Sequence, residues 1–172
     1  MSLSCTKSPP ATTALRNAAL ALFGYTSEDL DPRIPLAVAE AGATHLVIGL
    51  NSRETLKRMS YDLDKGRKLM READLVTISL VYVETDALFH VRNPFASGGV
   101  LEDPATGAAA AALGGYLRDL DWPGIAGTGG EIAIVQGEDM GMRSLLTVTI
   151  PAEPGTSIRV AGTARVMTEY EG

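Results

Sequence analysis

Apolar Leu15, Ala18, Ala19 and Leu22 recur at helical spacing and Gly24 stops the run, which predicts a helix over about 13–23. The pattern then changes. Residues 34–41 and 44–50 read as strands joined by a tight turn at Gly42. Ser52 to Ala73 is charged and helix-favouring, and it predicts two short helices with Ser52 and Ser60 as N-caps and a break near Met59. Strands follow at about 75–83 and 87–92, linked through Glu84-Thr85-Asp86, and then a loop over 93–102. A buried helix is predicted over about 104–119, because Ala108–Leu113 is a run of small apolar residues with no polar face. Beyond Asp121-Trp122-Pro123-Gly124, a glycine-rich connection feeds strands at about 131–136, 144–150 and 157–168. Roughly seven strands and one enclosed helix predict the α+β class, with a curved, mostly antiparallel β-sheet or barrel wrapped around a central buried helix. Strand glycines such as Gly49 and Gly162 ease the bending that such wrapping demands.

The start of the buried helix carries the most chemistry. Glu102-Asp103-Pro104-Ala105-Thr106-Gly107 runs straight into Ala108–Leu113. Asp103 has a short carboxylate suited to capping, and Pro104 suits a first helical position, where a missing N–H costs nothing. Free N–H groups and the positive end of the helix dipole make such a terminus an anion site. The plainer alternative is a well-capped core helix with no ligand. Beside its capping role, Asp103 is placed to accept or pass a proton near a bound anion.

Composition narrows the partners. The chain has 172 residues, 45% hydrophobic and 21% charged, enough for one domain with its own core. A net charge of -6 leaves no basic surplus for phosphates, so nucleic acid is not an expected partner. Cys5 is the single cysteine, which excludes an internal disulfide and a cysteine metal cluster. His45 and His90 fall in strand-like runs and read as half-buried strand residues, so neither a metal nor another cofactor is expected. No run approaches the ~20 apolar residues of a membrane span and no leader pattern opens the chain, so a cytoplasmic protein without a membrane partner is expected. Residues 1–12 read as expression remnants and a linker, 13–168 as the folded lobe, and 169–172 as a tail.

Three further features have bland readings. Gly127-Thr128-Gly129-Gly130 precedes a strand instead of following one, so it is a flexible turn and not a nucleotide loop. Catalytic use of either histidine requires a partner carboxylate that local sequence does not place. The charges from Arg53 to Arg58 and from Lys65 to Lys68 suit solvated helix faces, with Glu54 and Arg58 at the spacing of an i,i+4 pair.

The string Glu-Asp-Pro-Ala-Thr-Gly, with the small-residue helix ending Leu113-Gly114-Gly115-Tyr116-Leu117, resembles the signature of the phenazine-biosynthesis isomerase-like (PhzF-like) family. Arg92 stands eleven residues before Asp103, as the family's arginine does. Gln136-Gly137, Met140-Gly141, Arg143-Ser144 and Val160–Ala164 resemble later family segments. The resemblance covers roughly residues 12–168 and implies one lobe, the C-terminal one, of a diaminopimelate epimerase-like fold whose active site lies between two lobes. It implies a catalytic role for Asp103 and substrate binding by Thr106, Gly107 and Ala108. The family's catalytic glutamate and glycine-histidine motif are not found here. Two departures stand out: Ala108 replaces a usual serine, leaving only a backbone N–H there, and Asn93-Pro94-Phe95-Ala96 alters the stretch after Arg92.

Two functions are therefore expected. One is the C-terminal half of a cofactor-independent isomerase or epimerase acting by proton transfer on a small anionic carboxylate, inactive without its N-terminal lobe. The other is a non-catalytic anion-binding module that pairs with a second copy of itself.

Overall fold

The structure, a computed structural model, describes residues 1–5 and 7–163. Ten strands and four α-helices are present among them: β1 (Ser2–Leu3), α1 (Thr13–Phe23), β2 (Ala37–Glu40), β3 (Thr44–Leu50), α2 (Arg53–Lys57), α3 (Leu63–Glu72), β4 (Thr77–Thr85), β5 (Leu88–Arg92), β6 (Pro94–Phe95), β7 (Val100–Glu102), α4 (Gly107–Asp119), β8 (Gly130–Gln136), β9 (Ser144–Ile150) and β10 (Ile158–Gly162). Eight strands make one sheet in the order β1-β10-β9-β8-β5-β4-β3-β2, and β6 and β7 form a separate hairpin. Most neighbours are antiparallel; β3–β4 and β5–β8 are parallel. Helix α4 touches both β2 at one end of this sheet and β10 and β1 at the other, which requires the sheet to curl around it. The α+β class and the wrapped central helix are as the sequence predicts.

Why α4 sits inside follows from its side chains. Leu113 and Leu117 are fully buried and pack with Phe89, Ile132, Val148 and Ile158 from the surrounding strands. Truncating one such leucine costs about 2–5 kcal/mol. Gly114 and Gly115 let the helix lie flush against its wrapping. A Cβ at Gly114 would stand 2.9 Å from Val148 Cγ1, and one at Gly115 would stand 2.6 Å from Cys5 Cβ. The Tyr116 hydroxyl ties the helix to the Pro35 carbonyl at 2.5 Å.

A second apolar layer covers the outer face of the sheet. Leu20, Phe23, Leu56 and Met70 of the three outer helices pack with Leu46, Ile48, Leu50, Ile78 and Leu80. Strands β3 and β4 are thus covered on both faces, as parallel strands require. Thr12 caps α1 and Ser52 caps α2 through their side chains. Asp62, and not the expected Ser60, caps α3, accepting from the Lys65 N–H at 2.8 Å. Tyr61 separates the two candidates, and its hydroxyl reaches the Leu101 carbonyl.

The segment expected as remnant and linker packs onto the fold. Strand β1 pairs with β10, Cys5 is buried with its thiol on the Ala111 carbonyl, the Ser8 N–H bonds Asp119, and Pro10 bridges to Ala37. The expected loop 93–102 contains the β6–β7 hairpin. Residues 164–168 of the last expected strand and the 169–172 tail lie outside the described residues. Among the described residues, no helix is long and apolar enough to cross a membrane.

Candidate active site at the tip of the central helix

Strand β5 ends at Arg92, and the β6–β7 hairpin returns the chain so that Glu102 lies beside it. Arg92 forks the Glu102 carboxylate, Nε to Oε1 at 3.0 Å and Nη2 to Oε2 at 2.7 Å, while Nη1 donates to the Lys57 carbonyl at 2.9 Å. Glu102 is buried, and a guanidinium meets its charge, so it is not a bare like charge beside Asp103.

The loop after Glu102 is held from several sides. The Asp103 N–H bonds the Asn93 carbonyl at 3.1 Å, and the Gln136 amide donates to the Asp103 carbonyl at 2.8 Å. Gly137 lies against the same loop, with φ +75°, and a Cβ there would stand 2.9 Å from the Pro104 carbonyl oxygen. Only glycine permits that backbone contact.

Helix α4 begins later than the sequence suggests. Its N-cap is Thr106, not Asp103, and Pro104 lies outside the helix. The Asp103 carboxylate instead accepts the Thr106 hydroxyl at 2.5 Å. Thr106 makes no capping bond to the helix through its side chain. The first bond of the helical ladder runs from the Ala110 N–H to the Thr106 carbonyl at 3.0 Å. The Gly107, Ala108 and Ala109 N–H groups precede it, and among the described residues none has a hydrogen-bond acceptor. Gly107 and Ala108 are half-buried. The tip is therefore open, with one cover: the exposed Met1 side chain rests over Gly107, its Cε 2.5 Å from where a Cβ would be.

Of the residues singled out in the sequence, Asp103, Gly107 and Ala108 meet at this tip. Thr106, expected to bind substrate, is engaged within the protein instead: its hydroxyl meets Asp103, Asn93 and Gln136, its N–H faces Gln136 Oε1 at 3.4 Å and its carbonyl accepts the Ala110 N–H. Two residues that the sequence marks only within family segments, with no role in the site, complete the arrangement. Asn93 and Gln136 are buried and both reach Thr106 Oγ1, Nδ2 at 2.6 Å and Nε2 at 3.0 Å. Their signal in the sequence is a polar amide at the end of an apolar strand run.

A second polar cluster borders the site. A cleft of about 480 Å³ is lined by Arg53, Glu54, Lys57, Tyr82, Glu84, His90, Glu138 and Asp139. His90 Nε2 lies 2.6 Å from Glu84 Oε2 and its Nδ1 lies 3.3 Å from Glu138 Oε2. The partner carboxylates absent from local sequence thus come from β4 and from the turn after β8. Arg53 pairs with Glu138 and Asp139, and so it is not on a solvated helix face. Arg58 pairs with Asp29 at 2.6 Å and not with Glu54. His45 is wholly buried, not half-buried; its Nδ1 lies 2.7 Å from Thr77 Oγ1, and burial pushes its pKa down to about 4. Among the described residues, no group of histidine, cysteine and carboxylate side chains is arranged to hold a metal ion.

A sheet curled round one helix, whose tip opens beside a carboxylate, defines a half-barrel lobe of the α+β class. Residues 3–170 match the family described as phenazine biosynthesis-like protein, and the chain belongs to that family. An uncharacterized isomerase of Clostridium acetobutylicum is 26% identical over 157 residues, covering 88% of this chain and 52% of that protein. The uncharacterized isomerase YfhB of Bacillus subtilis is 28% identical over 101 residues, 56% of this chain and 34% of that protein. A PhzF-family phenazine biosynthesis protein of Bacillus anthracis superposes with a TM-score of 0.78 at 20% identity, over 94% of this chain and 56% of that one. A predicted epimerase of Pseudomonas aeruginosa superposes with a TM-score of 0.69 at 21% identity, over 97% and 57%. The chain thus spans about half the length of the first of these relatives and of both solved structures.

Proposed function

We propose that this chain supplies one half of a cofactor-independent isomerase or epimerase that moves a proton on a small carboxylate metabolite. Asp103 takes part in the proton transfer, and the Gly107 and Ala108 N–H groups seat the substrate's anionic group. A companion N-terminal lobe carries the principal acid/base, so the chain alone is inactive. The observation that carries this reading is the open helix tip: unbonded N–H groups at the end of a buried helix, beside a carboxylate. Preorganised donors of this kind suit charge that develops next to a bound anion. Exposed Val100 and Leu101 before the loop, and exposed Met142 next to Gly137, give apolar surface for the companion to cover.

That apolar surface also supports the second reading, in which a second copy covers the tip and the pair holds an anion without chemistry. One experiment separates the two. The chain is combined with an N-terminal lobe of a family relative and given a panel of small carboxylates in D2O, with deuterium incorporation read by mass spectrometry. Incorporation that needs both lobes supports the isomerase. No incorporation from a folded, bound pair, together with sulfate-dependent shifts of the Gly107 and Ala108 amide resonances, supports the binding module.

A further inference from the structure

We propose that Asn93 and Gln136 are positioning residues for Asp103, acting through the Thr106 hydroxyl, and that they leave Oδ1 as the carboxylate oxygen that carries a transferred proton. This rests on the reading of Asp103 as a proton-transfer group. A hydroxyl has one hydrogen to donate and two lone pairs that accept. Gln136 can be oriented without ambiguity: the end that lies 2.8 Å from the Asp103 carbonyl faces a group that only accepts, so that end is the NH2. Its second hydrogen reaches Thr106 Oγ1 at 3.0 Å, and its oxygen faces the Thr106 N–H at 3.4 Å. Asn93 is oriented by the shared hydroxyl: an ionised Asp103 carboxylate has no hydrogen of its own and takes the one that Thr106 can give, so Asn93 must donate, with Nδ2 2.6 Å from Thr106 Oγ1 and Oδ1 accepting the buried Ser79 hydroxyl at 3.0 Å. Both lone pairs of the hydroxyl are then filled.

The one hydrogen left to Thr106 points at Asp103 Oδ2, 2.5 Å away. That bond occupies one of the two lone-pair directions of Oδ2 and draws on its negative charge, which leaves Oδ1 the better acceptor of a further proton. Oδ1 has no hydrogen-bond partner among the described residues. A proton that leaves bound substrate therefore adds to Oδ1, and the same oxygen returns it. A purely structural threonine at an N-cap would accept from the helix's own N–H groups. Thr106 does not, so the hydroxyl serves Asp103 while the amides stay open.

The test is NMR on the whole chain, 13C- and 15N-labelled. The expected result is a slowly exchanging Thr106 hydroxyl proton with coupling through the hydrogen bond to the Asp103 carboxyl carbon. Thr106→Ser retains this signal and Thr106→Val abolishes it. Asn93→Asp turns a donor into an acceptor, frees a lone pair and speeds hydroxyl exchange by about tenfold or more. Backbone amide spectra report whether each variant is folded. A hydroxyl that exchanges at free-solvent rates in the folded wild-type chain, or that points to another acceptor, overturns the positioning alone. A normal hydroxyl signal with deuterium incorporation unchanged by Asp103→Asn in the two-lobe protein overturns the proton-transfer reading, and the positioning with it.

Discussion

Arg92 forks the buried carboxylate of Glu102 with bonds of 3.0 and 2.7 Å, and so joins the end of β5 to the residue that opens the α4 loop. The two side chains are 12% and 5% exposed, so little water is at hand to replace either partner. Removing one side therefore strands a charge. Arg92→Met is expected to destabilise the chain by about 3–5 kcal/mol, mostly from the uncompensated Glu102 carboxylate. The double substitution Arg92→Met with Glu102→Leu removes both charges and is expected to recover most of that loss. Urea denaturation of the three proteins decides it; equal destabilisation of single and double variants would show that the fork matters only for packing.

Gly115→Ala sets two effects against each other. Alanine is favoured over glycine in a helix interior by about 0.8–1 kcal/mol. Yet the new methyl would lie 2.6 Å from Cys5 Cβ, which moves only with the backbone, and 2.9 Å from its Sγ. Overpacking of this kind costs about 1–3 kcal/mol. A net loss of stability is expected, with a lower denaturation midpoint. A gain would mean that the β1-side segment is loosely held against α4.

His45 predicts how stability depends on pH. Its folded pKa lies at about 4 because burial disfavours the charged ring, whereas an unfolded histidine titrates at about 6.5. Between those values the unfolded chain binds the extra proton, so stability rises with pH. The contribution is intact above about pH 6.5, falls as the pH drops, and is fully lost below about 4. The total is on the order of 3 kcal/mol. His45→Phe keeps a ring of comparable breadth without the titration. The wild-type minus variant difference in unfolding free energy should shrink between pH 7 and pH 4.5; a constant difference would rule out a buried neutral imidazole.

What could be seen in the sequence was what depends on neighbours along the chain. The helix from Thr13 and the buried alanine run show their period directly, and so do the strands at 44–50 and 144–150. The Glu54–Arg58 pair failed because α2 is only Arg53–Lys57: Arg58 has left the helix, and its guanidinium meets Asp29 instead. Asp103 looked like a cap because capping rules read only local order. Its carboxylate is taken by Thr106, which is itself oriented by amides 13 and 30 residues away. The Glu84–His90–Glu138 cluster was hidden for the same reason, as strand register, not spacing, brings β4 and the turn after β8 to β5.

The anion seat makes its own prediction, because its amides can be altered one at a time. Gly107 is the first residue of α4, where proline is well tolerated, and the Thr106 before it, with φ -117° and ψ 94°, lies outside the α region that a following proline disfavours. Gly107→Pro deletes one of the open N–H groups, and the neighbour it displaces is the exposed end of Met1. Sulfate affinity, read from the Ala108 amide shift, should fall by about 2–10-fold, the worth of one hydrogen bond, with the denaturation midpoint held or raised. Ala108→Ser works in the opposite direction by adding a hydroxyl donor beside the remaining amide, and should tighten sulfate by a similar factor. If sulfate shifts no amide at the tip of the wild-type chain with Met1 removed, the seat does not exist and the case for a bound carboxylate fails with it.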